Sequence, residues 1–101
     1  SEVQWGTPMI AYKINSISQK HRQVFALVPP YRGHTFVVSS YVSKFNEPET
    51  LIFPCDNEGK VLDWTEITGT REKEPMHLDL IKSMGYTEIH SLEEVSGIQQ
   101  F

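Results

Sequence analysis

The chain is 101 residues long, with 39% apolar and 22% charged side chains and a formal net charge of −4. That balance excludes an intrinsically disordered chain, and the length suits one small domain, residues 1–101, around a single modest core. No apolar stretch approaches the roughly 18–20 residues that cross a bilayer, and the one cysteine, Cys55, excludes an intramolecular disulfide.

Met9–Ile14 alternates, with Ile10, Tyr12 and Ile14 on one face of an expected strand and Lys13 on the other. NSISQK reads as a polar turn, although Ser16 and Gln19 have capping-box spacing, so a helix starting near Ser16 competes. Gln23–Val28 reads as a strand ending at Pro29-Pro30. PPYRGH, Pro29 to His34, reads as a loop, because proline cannot donate to a ladder and Gly33 permits positive φ. Thr35–Ser43 predicts a strand with Phe36, Val38 and Val42 on one face and Thr35, Ser39 and Ser43 on the other. Thr50–Pro54 is expected to pair with Lys60–Trp64 across the turn-forming DNEG.

A charged connection then leads to a helix over 75–84. Pro75 sits in its first turn, Leu78, Ile81 and Met84 form its apolar stripe, and Gly85 ends it. Ser91 and Glu94 have the spacing of a last helical turn before Gly97. The expected fold is α+β, a small antiparallel β-meander of about four or five strands with one main carboxy-terminal helix packed on one face. An exposed edge in so small a sheet also fits a homodimer.

Charge is unevenly distributed. Residues 1–45 carry five basic side chains and one acid, whereas residues 46–101 carry four and twelve. Either one end meets an anionic ligand, or the two halves neutralise each other on folding. DNEGKVLDW offers Asp56, Glu58 and Asp63 but not the acid ladder of a calcium loop, and turn preference alone accounts for Asp56, Asn57 and Gly59. The four histidines form no HxH or HxxxH pair and no CxxC occurs, so no metal and no cofactor are expected. Cys55, at a strand end, reads as a small buried hydrophobe rather than a nucleophile. An enzyme built on His34, His77 or Cys55 would need carboxylates converging from distant positions, and no catalytic residue is assigned.

The candidate binding residues are Tyr31, Arg32 and His34. They place a stacking ring, a fork-shaped cation and an imidazole beside Gly33, a set fit to hold a phosphate or a nucleobase. Lys20, His21 and Arg22 join them if the first two strands form a hairpin, unless its tip lies at the opposite end of the sheet. Trp5 is a lid over the sheet or a partner anchor, and Trp64 reads as core or rim packing.

Three features stand in one stretch: Val37, Val38 and Ser39 in a β-rich strand; Pro48, Glu49 and Thr50 before an apolar strand; and the hairpin pattern of Asp56, Gly59, Val61, Asp63, Trp64 and Glu66. With Met84 to Tyr86 after a short helix, this stretch resembles a group of short, uncharacterised bacteriophage-encoded proteins. The resemblance covers half to two-thirds of the chain and carries no catalytic residue with it. It implies a small accessory protein in the cytoplasm of a bacterial host. The expected function is therefore non-enzymatic binding of a host component, a host protein whose machinery or defence it inhibits. The alternative is a nucleotide or nucleic-acid binding protein that uses the basic amino-terminal segment and the Pro29–His34 loop, with affinity that falls as salt rises. SEVQWGTPM lacks a basic region followed by an apolar one, so no secretory signal is expected.

Overall fold

The computed structural model describes residues 8–95. Six strands form one sheet: β1 (Ile10–Ile14), β2 (Arg22–Tyr31), β3 (His34–Lys44), β4 (Glu47–Cys55), β5 (Thr68–Thr70) and β6 (Glu88–Leu92), with one helix, α1 (His77–Ser83), between β5 and β6. The order across the sheet is β5-β4-β3-β2-β1-β6. Neighbours from β1 to β5 are antiparallel, whereas β6 lies parallel to β1. The class is α+β as expected, but the sheet is mixed and six-stranded rather than an antiparallel meander of four or five.

Two tight hairpins set the register. Arg32 and Gly33 join β2 to β3 with φ of 51° and 84°, and Phe45 and Asn46 join β3 to β4 with φ of 53° and 61°. Positive φ at both central positions twists the turn to match the strands it connects. The Pro29–His34 segment is therefore hairpin, not loop. β2 runs through both prolines because its register with β3 shifts between Ala26 and Tyr31, which removes the need for their missing donors.

The turn expected at NSISQK holds: Asn15–Ile17 is a single 3-10 turn, and the competing helix from Ser16 does not form. Two further expectations are corrected. Lys60–Trp64 does not form the strand beside Thr50–Pro54; a lone Cys55–Val61 bridge remains, with the Asp56 N–H donated to the Lys60 carbonyl and the Leu62 N–H to that of Pro54, and β5 pairs there instead. The carboxylates explain this. Asp56 Oδ1 accepts the Glu58 and Lys60 N–H groups, and Asp63 Oδ1 accepts that of Thr65, so local turns win over the ladder. Residues 88–92, partly assigned to a helical turn from Ser91, form β6 because the outer edge of β1 offers a full set of backbone partners.

The helix is shorter than the expected 75–84, and its buried stripe is His77, Leu80, Ile81 and Met84, leaving Leu78 45% exposed. Its end is a Schellman motif: the Gly85 N–H donates to the Lys82 carbonyl and the Tyr86 N–H to that of Ile81, with Gly85 at φ 104°. Tyr86 then packs back into the core. Ala11, Phe25, Leu27, Val37 and Ile52 from the sheet meet Leu80, Ile81, Met84 and Tyr86. The opposite face buries Val24, Val38, Phe53 and Cys55, covered by Ile17 and Val61. Both faces of β2 are thus dry, which is why Val24–Leu27 is a continuous apolar run rather than an alternation.

Candidate functional site

The five described candidate residues fall in three places, and Trp5 lies outside the described residues. Tyr31 is half-buried, edge-on to Tyr86 at 6.4 Å between ring centroids, and Arg32 sits over its ring at 5.1 Å. That stacking uses the face a nucleobase would need. His34 lies near enough to Asp63 to help hold that carboxyl below its ordinary value, behind the larger effect of the Thr65 hydrogen bonds. Arg22 opens β2 on the face away from α1, and its guanidinium donates to the Gly59 carbonyl. It is a brace for the 56–60 turn, not part of a ligand site. Lys20 goes to the other face, so the two cations do not act together.

Around Lys20 the chain builds an arrangement that sequence spacing did not suggest. The buried His77 Nε2 is 3.0 Å from the Lys20 carbonyl, which can only accept, so Nε2 carries the proton. Nδ1 is then the acceptor for the Ser39 hydroxyl at 2.7 Å. Burial holds the imidazole below its ordinary pKa, opposed by the Lys20 hydrogen bond and aided by the nearby charges of His21 and Lys13. A serine against a neutral histidine is the beginning of a nucleophile–base pair. Here Ser39 has no exposed surface, so no substrate reaches it, and the pair ties α1 to β3 and to the β1–β2 connection. Cys55 is equally withdrawn: burial pushes its thiol up to about 12, with Asp56 adding to the effect and Arg22 opposing it.

Beside His77 a groove of about 1070 Å³ opens between α1 and the β1–β6 edge. Strand alternation forms its floor. Ala11 and Phe25 lie under the helix, and beyond its cover the same face continues as Lys13, Gln23 and Ser91. Lys20 and Lys82 also line it, as do Glu74 and Asp79. The uneven charge of the chain pointed to this half, but no local pattern singled out Lys13.

A second exposed feature lies on the segment between β4 and β5. Leu62 is 65% and Trp64 75% exposed, with the Trp64 ring edge-on to Phe53 at 5.2 Å. Trp64 is thus a projecting side chain resting on a core ring, not the core or rim residue expected. The Asp56 and Asp63 turns hold the backbone that carries it. Asp56 sits below the ordinary carboxylate range through hydrogen bonds from Lys60 and then Glu58.

Among the described residues no group of three or more histidine, cysteine or carboxylate side chains is placed to hold a metal ion, and no helix is long and apolar enough to cross a membrane. Comparison with known family models, curated proteins and solved structures finds no match to this chain.

Proposed function

We propose that this protein is a non-enzymatic interaction protein that grips its partner with Leu62 and Trp64. The observation that carries the reading is the 75% exposure of Trp64 beside a 65% exposed leucine. Beyond its edge contact with Phe53, the Trp64 ring is left in water on a pinned backbone, and tryptophan is prominent among the residues that dominate protein interfaces. The surrounding segment carries Asp56, Glu58, Asp63 and Glu66 against Lys60. A complementary partner presents an apolar cleft rimmed by basic side chains. In the bacteriophage setting that the resemblance implies, this is a host protein, and occupying its cleft inhibits host machinery or defence. Cys55 in the core and Ser39 with His77 beneath the helix are taken up by packing. The nucleotide reading built on Tyr31, Arg32 and His34 has less support, because Arg32 lies over the Tyr31 ring and Tyr31 meets Tyr86 edge-on.

The test compares the wild-type protein with a Leu62→Ser, Trp64→Ser variant, each purified gently from bacterial cells and weighed by native mass spectrometry. The wild type is expected to retain a stoichiometric protein partner, and hydrogen exchange on that complex to slow at residues 60–66. The variant, unchanged in melting behaviour, releases the partner. Equal retention by the variant, or turnover of a substrate by the isolated wild type, refutes the reading.

A further inference from the structure

We propose that the groove between α1 and the β1–β6 edge is a second, separate site, which binds a phosphorylated small molecule of mononucleotide size. Its phosphate meets Lys13 and Lys20, and its body lies along Leu78 and Ile89. Lys13 is the strongest sign. It is half-buried on the sheet face that Ala11 and Phe25 share with the core, directly opposite Ser91 of β6. A cation on the inner sheet face with no opposite charge beside it is available to an anionic ligand. Among the described residues the one ion pair is His90 with Glu88, so no carboxylate compensates Lys13.

The groove carries three lysines, Lys13, Lys20 and Lys82, against two carboxylates, Glu74 and Asp79. His77 is held neutral between Ser39 and the Lys20 carbonyl. Asp79 and Lys82 belong to α1, and Glu74 to the connection before it. Two cations lining one groove, Lys13 from the sheet and Lys20 from the β1–β2 connection, suit a phosphate monoester, which carries about −1.5 to −2 charge and three acceptor oxygens, better than a single carboxylate. The rest of the groove is amphiphilic. Leu78, 45% exposed, and Ile89 offer apolar surface for a ring, and the Gln23 amide offers both a donor and an acceptor. The volume, about 1070 Å³, matches the upper range of small-molecule sites.

Amide chemical shifts would be followed at low salt while adenosine monophosphate, adenosine, inorganic phosphate and a short single-stranded oligonucleotide are added in turn. The monophosphate is expected to move resonances near Lys13, Gln23, Leu78 and Ser91 in a saturable way, and more tightly than adenosine or phosphate alone. Lys13→Met, which keeps the apolar stem, and Lys20→Ala, in an exposed connection, each weaken binding about tenfold. Lys60→Ala, on the opposite face, leaves it unchanged. If Lys13→Met does not fold, Lys20→Ala carries the same test. The proposal is overturned if the monophosphate gives no saturable shifts or if Lys60→Ala weakens it as much as Lys20→Ala. It is overturned in favour of a nucleic-acid surface if the oligonucleotide binds more tightly, with shifts running beyond the groove.

Discussion

Replacing Ser39 with alanine removes one hydroxyl from the molecule and leaves Nδ1 of His77 facing an apolar gap. The ring cannot turn to find another donor, because its Nε2–H is committed to the Lys20 carbonyl. A buried acceptor stripped of its donor costs about 1–3 kcal/mol, more than the net value of the bond. For a domain of this size each kcal/mol lowers the melting temperature by roughly 4–8 °C. Urea and thermal unfolding followed by circular dichroism at pH 8 would measure the loss. The pH dependence gives an independent check. Burial depresses the folded pKa of His77 below its ordinary 6.5, so the unfolded chain takes up its proton first as the pH falls. The stability contributed by the neutral ring is fully present above pH 6.5 and is lost as the pH drops through the lower folded value. Wild type should therefore weaken through that window, and His77→Leu should weaken less. A Ser39→Ala variant within about 0.5 kcal/mol of wild type, the range of an ordinary surface change, would refute the buried pair. So would identical acid profiles for wild type and His77→Leu.

Three further outcomes are expected. Phe45 holds a positive φ of 53° while 92% exposed, so Phe45→Asn should raise stability by about 0.5–1 kcal/mol in the same unfolding assay, since it relieves backbone strain and loses no packing. Gly59→Ala should destabilise by about 1–3 kcal/mol, because φ there is 86° and the new methyl would meet Val24 Cγ2 at 2.9 Å. The Cys55 thiol, pushed up to about 12, should resist iodoacetamide at pH 8 in the native protein and react fully in urea, as read by intact mass.

Strands were legible where the residues were β-branched or aromatic, as in Thr35–Ser43, and the stop at Gly85 was legible because glycine suits its positive φ. The hairpin at 50–64 was misread because Asp56 and Asp63 favour turns in two ways. Their presence is visible in the sequence, but whether they cap a hairpin or bend the chain away is decided by which N–H they accept. β6 was misread because a parallel pairing between residues 10–14 and 88–92 leaves no local trace. The candidate site shows the same limit. Tyr31, Arg32 and His34 looked functional by residue type, yet two of them serve packing. Ser39 and His77, 38 positions apart, and Lys13 beside Ser91 acquire their meaning only when β3, α1, β1 and β6 are assembled.

The placement of β6 has a consequence for synthesis on the ribosome. Ile10 pairs with Glu88, so β1 must wait for nearly eighty more residues before its outer edge is covered. Through that interval the meander β1–β5 can already form, with one bare row of backbone donors and acceptors and with Phe25, Leu27 and Val37 not yet roofed by α1. A nascent chain paused ahead of residue 77 is therefore a sticky template for its own siblings, a hazard that ends when α1 and β6 dock.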